Sequence, residues 1–494
     1  MKLRRIGAAA SILAMLGACG GGGTGTGSVS GSFTSSPAPS PTPSPTASPS
    51  PTPTATAGCS LRERQDWVAA QLREWYLFYE TLPTTLDPTP YTTVDSYIDA
   101  LTATARSQRR DRYFTYVTSI AVENAYYASG ETAGFGFRLS NNSTTRRTFV
   151  AEAFEGAPAL NAGVDRGTEI LAIGTTSANL RAVSDIIASE GAGGVTTALG
   201  ANTPGTTRLF RVRNPAGTVS EVSIAKADYA LTPVSSRYGY KILDDNGKKV
   251  GYINLRTFIS TANDGLRTAF AALKAAGVTE VVIDLRYNGG GLVSVAETFG
   301  RLLGGNRSTS DVFSYTTFRP EKSSQNSVAY FAPQTQSIAP TKIAFIGMSG
   351  TASASELLIN AFIPYLGSNI ALVGSNTYGK PVGQIALDRA SCDDRLRVVA
   401  FATQNKDRSA AYFDGLATVV PRTCQATDDF TYPLGDARES SIAAALNFLG
   451  GRSCTPITAT AQTSAVARSR PVGSFELLTP DRPNTAQREV PGAF

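Results

Sequence analysis

From about residue 237 onward the sequence alternates between two patterns, and that alternation most constrains the fold. "KVGYINL", "EVVIDLR", "KIAFIGM" and "IALVGS" are short apolar runs of buried-strand type. Between them, "NDGLRTAFAALKAAG", "LVSVAETFGRLLGG" and "ASELLINAFIPYL" carry apolar residues at helical spacing. Strand–helix alternation builds an α/β layer structure with right-handed crossovers. "DDNGKK" at 244–249 is a separate hairpin signal.

Two other regions precede this one. "CSLRERQDWVAAQLREWYLFYE" opens with a capping-box pair, Ser60 and Glu63, and places Val68, Leu72, Trp75, Tyr76 and Tyr79 on one broad face. With "TTVDSYIDALTATA" it predicts a small helical domain over 59–130. Residues 131–230 change character: "GFGFRLS", "RTFVAEAF", "EILAIGT", "TRLFRVRN" and "VSEVSIAKA" are strand-like runs separated by turn residues. "GFGF", Gly134-Phe135-Gly136-Phe137, resembles the carboxylate-binding loop of PDZ domains, and "EGAPALNAGVDRGTEILAIG" resembles their helix and Gly turn before a strand. In such a loop, successive N–H groups meet a peptide C-terminus and the peptide adds as a strand. The reading is a multi-domain α+β protein: a helical N-terminal part, a PDZ-like β-rich unit, and an α/β core over 231–454.

The ends differ again. Lys2, Arg4 and Arg5 precede "IGAAASILAMLGA", which is too short for a stable membrane span and fits an export signal over 1–18. Leu16-Gly17-Ala18-Cys19 resembles a bacterial lipobox, which implies a lipid anchor at Cys19. Gly20 stands where an inner-membrane retention aspartate would sit, so the expected place is the outer membrane, facing the periplasm. Residues 20–58 have one aromatic and no charge, the composition of a tether that does not fold. Residues 455–494 contain five prolines and little periodicity, and are expected to form an extended tail.

Composition limits the chemistry. The chain has 45 basic and 39 acidic residues; removing the three in the signal leaves 42 against 39, a balance of +3 and no footprint for nucleic acid. It has no histidine. Every histidine-dependent mechanism is excluded, and with it the Ser-His-Asp triad. Without histidine or a C-x-x-C pair, no zinc site is expected. In an exported protein the four cysteines beyond Cys19 predict two disulfides, and of three pairings we expect Cys392–Cys424 and Cys59–Cys454.

"GTASASELL", 350–358, puts Ser353 and Ser355 at the first turn of a helix. A nucleophilic serine there needs a base, and lysine is the leading alternative to histidine. The one S-x-x-K, Ser223 to Lys226, lies in a strand pattern that points the two side chains to opposite faces. Lys380 in "SNTYGKPVGQ" is the better candidate, with no acidic residue between Gly374 and Ala386 to keep it protonated.

At this point the sequence resembles the carboxyl-terminal processing, or tail-specific, proteases over roughly 60–450. "VVIDLRYNGGGLV" is similar to the family's strand and Gly-rich turn. "GTASASELL" is similar to its S-A-S-A-S-E stretch, with Thr351 for the first serine. "NTYGKPVGQ" is similar to its T-F-G-K-G-x-x-Q stretch, with Pro381 for the glycine. The resemblance implies a protease core of crotonase-like layered type, Ser353 as nucleophile, Lys380 as general base and Gln384 as its orienter, with Ser355 the rival nucleophile. The expected oxyanion donors are the N–H of Ala354 and that of Gly290, with Gly291 as neighbouring candidate. It further implies a protein or peptide substrate with a free C-terminus and no metal or organic cofactor. An adaptor and self-association are left open. The competing reading is a lipid-anchored peptide-binding scaffold with an inactive core.

Overall fold

The computed structural model describes residues 57–458 and 475–494. The expected signal 1–18, Cys19 and the linker up to residue 56 lie outside the described residues.

The alternating region folds into a six-stranded sheet whose spatial order is its chain order: Tyr240–Asp245, Lys248–Asn254, Glu280–Asp284, Lys342–Gly347, Ile370–Gly374 and Arg422–Gln425. The first pair is an antiparallel hairpin across Asn246 and Gly247; the other neighbours are parallel. Helices Ala262–Ala275, Val293–Leu303 and Ala354–Leu366 supply Leu266, Phe270, Phe299, Leu357 and Leu358 to a core that includes Ile283 and Phe345. Helix Ser440–Leu449 belongs to a separate core with Val282, Ile346 and Val373, the residues that alternate to the other face of the sheet. Asp284, Gly347 and Gly374 end three adjacent parallel strands, so the three motif loops leave the same edge of the sheet. In open parallel sheets that edge is where ligands bind.

A second, five-stranded sheet centres on Asp394–Gln404, flanked by Tyr116–Ser119, Val312–Phe318 and Val382–Arg389. The amphipathic helices Leu61–Trp75 and Val94–Leu101 lay Val68, Leu72 and Tyr97 against Val382, Leu396 and Val398 of this sheet. The N-terminal segment is therefore helical but not separately packed, because its strand Tyr116–Ser119 completes a sheet of the core.

Residues 131–230 supply most of a seven-stranded sheet in which Phe137–Asn142, Arg147–Ala153, Glu169–Gly174, Thr207–Arg213 and Val219–Ala225 follow one another. Helix Val183–Leu199 contributes Ile186 and Val195 to its core with Leu139, Val150 and Phe210. Beside Phe137–Asn142 lies Glu476–Leu477 from the C-terminal tail. The tail is thus not simply extended: Thr485–Glu489 forms a short helix capped by Asn484, and residues 485–487 are buried.

The disulfides are Cys59–Cys392 and Cys424–Cys454, not the expected pairing. Helix packing explains the difference. Cys59 precedes a helix that lies on strand Asp394–Gln404, where Arg64 pairs with Asp394, and this carries it to Cys392. Cys424 lies in the last parallel strand, and Cys454 returns beside it after helix Ser440–Leu449.

Candidate active site

Ser353 occupies the N-cap of helix Ala354–Leu366 with φ 54° and ψ −116°. A left-handed φ is rare for a residue with a Cβ and costs about 1–3 kcal/mol, so the surrounding contacts must impose it. The loop before it is stitched to the glycine turn. Thr351 Oγ1 donates to Leu285 O at 2.8 Å, and the Ala352 N–H donates to Asn288 O at 3.0 Å. Ser355 is fully buried and donates its hydroxyl to Asn288 O at 3.0 Å. It faces the core, whereas Ser353 remains partly exposed.

The glycine turn approaches Ser353 closely. Gly290 has φ 120°, and a Cβ there would lie 2.8 Å from Ser353 Cβ and 3.1 Å from the Ala354 nitrogen. Only glycine fits that approach. The Ala354 N–H has no acceptor among the described residues. The expected Gly290 donor differs: its N–H donates to Asn288 Oδ1 at 2.9 Å and is already engaged. Sequence reading missed Gly289, whose N–H donates outward to the Glu489 carbonyl at 2.8 Å.

Lys380 lies on the loop after Gly374 and is partly buried. Its amine donates to Gln384 Oε1 at 2.8 Å and sits 4.9 Å from the Phe114 ring centre. Gln384 Nε2 donates to Phe114 O, which turns the amide oxygen toward the lysine. Burial pushes the Lys380 amine down to about 8; Glu489 opposes this from the tail, Arg488 assists it, and Asp111 and Arg397 contribute less with opposite signs. Among the described residues no carboxylate forms an ion pair with it. Nor does a hydrogen bond join Ser353 to Lys380 in this structure; Lys380 and Ala352 line one cavity of about 380 Å³, together with Gly289, Arg112, Tyr378 and the tail. Catalytic hydrogen bonds commonly tighten only in the complex with substrate.

Glu356, the acidic residue of the "GTASASELL" stretch, holds the site together. It is fully buried, and burial raises its carboxyl above the usual range. Oε1 accepts from Thr377 Oγ1 at 2.6 Å and Gly379 N at 2.7 Å; Oε2 accepts from Lys380 N at 2.7 Å and Ser353 N at 3.1 Å. One carboxylate therefore binds the backbone of both candidate catalytic residues. Its signal in the sequence was the S-x-x-E spacing of a capping box. Arg112 adds a clamp from the N-terminal segment, donating to Tyr378 O at 2.6 Å and Gly379 O at 2.5 Å. The S-x-x-K pair is no site: Ser223 is exposed, while Lys226 is buried and donates to Gly200 O and Asn202 Oδ1.

Residues 249–413, which span the glycine turn, Ser353, Lys380 and Gln384, match the model for peptidase family S41. Residues 63–116 match the peptidase S41 N-terminal domain. Over these two stretches the chain is similar to peptidase family S41. It is 30% identical over 254 residues to a carboxyl-terminal-processing protease of Picosynechococcus sp., covering 51% of this chain and 55% of that one. A Synechocystis sp. protein of the same name is 27% identical over 256 residues, covering 51% and 54%. The chain thus spans about half the length of the curated relatives it matches. An S41 protease-type crystal structure from Bacteroides fragilis superposes with a TM-score of 0.60 at 22% identity, covering 78% of this chain and 97% of that one, which places the S41 fold on most of the molecule.

Proposed function

We propose that this chain is a serine endopeptidase with a Ser353–Lys380 dyad that cleaves exported proteins near their C-termini. The observation that carries the reading is an amine lowered to about 8, oriented by a neutral amide, on a loop tied through Glu356 to the helix that starts at Ser353. An ordinary lysine, with pKa about 10.4, is almost wholly protonated at neutral pH and is no base.

In the proposed reaction, neutral Lys380 takes the Ser353 proton as Oγ attacks the scissile carbonyl. The tetrahedral oxyanion is met by the Ala354 N–H and by the glycine turn. Gly289 N–H already points at a peptide carbonyl; Gly290 N–H joins once it leaves Asn288. Protonated Lys380 then gives its proton to the leaving amine, and a water deprotonated by Lys380 resolves the acyl-enzyme. Gln384 orients the amine without a charge that would hold it protonated.

The seven-stranded unit is read as the PDZ-like receptor of substrate tails, with the Gly134–Phe137 loop at the end of its groove. Lipidation at Cys19 would anchor the enzyme to the outer membrane facing the periplasm, the uncharged linker holding it off the surface. The inactive-scaffold alternative gains no support, since Ser353, Lys380 and Gln384 are all present.

The test is cleavage of an unstructured protein with an apolar C-terminus. Ser353→Ala and Lys380→Ala are expected to abolish cleavage while retaining peptide binding. Cleavage by both variants at the wild-type rate would reject the dyad.

A further inference from the structure

The groove and the catalytic cleft are both occupied, and the occupant is this chain. Glu476 and Leu477 pair antiparallel with Asn141 and Ser140, and the Leu478 N–H donates to Leu139 O at 2.9 Å. Residues 479–491 then leave the strand, and residues 492–494 resume it in the same direction. Leu139 N–H donates to Gly492 O at 2.9 Å, Ala493 bridges Arg138, and Phe494 N–H donates to Phe137 O at 3.0 Å. At the groove's end the Gly136 N–H donates to Phe494 O at 2.9 Å. Gly134 approaches so closely that a Cβ would lie 2.6 Å from the Phe494 carbonyl carbon. The Phe494 side chain is 4% exposed and sits in the core that contains Phe135, Phe137 and Phe210.

The excursion crosses the catalytic cleft. Glu489 O accepts from the Gly289 N–H at 2.8 Å, and Arg488 O lies 2.1 Å from where a Cβ on Gly289 would be. Arg488 donates to Tyr113 O at 2.9 Å, the Tyr127 hydroxyl donates to Glu489 Oε1 at 2.9 Å, and Arg138 donates to Pro491 O at 3.2 Å. A backbone carbonyl resting on an outward N–H of the glycine turn is what an extended substrate would place there.

We propose that residues 484–494 are an intramolecular peptide ligand that fills the groove along Phe137–Leu139 and covers the glycine turn, holding the cleft closed until a competing peptide displaces it. The competitor's chemistry is read from the occupant. It is an extended segment pairing with Phe137–Leu139 through its main chain, with a bulky apolar side chain at the Gly134–Phe137 end and small residues before it. A ligand on the same chain acts at an effective concentration up to the millimolar range, so only well-matched competitors open the cleft. This proposal rests on the protease reading only for the consequence of opening, not for the occupancy.

Two changes release the segment: a chain ending at Pro483, and the full-length chain with Phe494→Asp, which puts a charge in an apolar core. The probe is a fluorescein-labelled synthetic peptide of residues 484–494, its binding read by anisotropy in the Ser353→Ala background. It is expected to bind both altered chains at least tenfold more tightly than the unaltered one. With Ser353 intact, both altered chains are expected to cleave β-casein about tenfold faster, and the added peptide to reverse that gain. Unchanged peptide affinity in the Phe494→Asp chain overturns the proposal, whether or not the shortened chain folds. Tighter peptide binding with no casein cleavage by any form leaves the intramolecular ligand standing and rejects the protease reading instead.

Discussion

Around Glu356, four donors converge on one buried carboxylate, and three of them are main-chain N–H groups of the serine helix and the lysine loop. Along Phe137–Asn142 the tail is held mainly by main-chain pairing and by the buried Phe494 ring, with a side-chain bond from Arg138 to Pro491 O. The first arrangement has no other partner to exchange with, since removing any member leaves a buried charge or donor unsatisfied. The second offers donors and acceptors that any extended peptide can match. On the proposed account, one region stays fixed and the other exchanges its occupant.

Substitutions can break or sharpen that contrast. The largest effect is expected from Ser353→Ala and Lys380→Ala, which should each lower kcat/KM at least about 10³-fold with little change in unfolding free energy for Ser353→Ala. Glu356→Gln comes next. It turns an acceptor toward donors as an NH₂ group, and should cost about 2–3 kcal/mol in urea unfolding and about 10²-fold in kcat/KM. An unchanged stability would mean that the carboxylate is not the fixed point of the site.

Gln384→Glu separates orientation from charge. A carboxylate 2.8 Å from the amine would hold it protonated, so the rising limb of the pH–rate profile should move up by at least about one pH unit. The smallest effect is one of sign. The folded pKa of Lys380 lies below its unfolded value, so the unfolded chain binds more protons between about pH 8 and 10.5. Stability contributed by this group therefore rises with pH across that window, and below it the lysine is a liability of up to about 3 kcal/mol. Lys380→Met should be more stable than wild type at pH 7, with the advantage vanishing above about pH 10.5, as read by chemical unfolding at both pH values.

The same contrast explains what the sequence revealed. The proposed chemistry demands particular side chains, so its candidates Ser353, Lys380 and Gln384 stood out as motifs, and the strand–helix alternation located the sheet whose edge presents them. Ser355 was the rival of Ser353 in the sequence, and its hydroxyl faces inward to Asn288 O. Main-chain interactions carry no residue signature. The strand Tyr116–Ser119 is four residues long and shows no alternation of its own, so its place in the second sheet was hidden. The tail's return to Phe137–Asn142 depends on backbone pairing with residues more than 300 positions away, and read only as irregular and proline-rich. The disulfide partners were set by helix packing, which cysteine spacing does not encode. Gly289 was one of three consecutive glycines, and the direction of its N–H, which the sequence does not encode, sets it apart from Gly290.

The central claim is that a neutral Lys380 amine activates the Ser353 hydroxyl. It is tested most directly by the rate at which a fluorophosphonate probe acylates Ser353 as a function of pH. The account predicts one rising limb with a midpoint near 8, set by the lysine, and loss of the reaction in Lys380→Ala. A rate independent of pH, or a midpoint above 10 that survives Lys380→Ala, would contradict it.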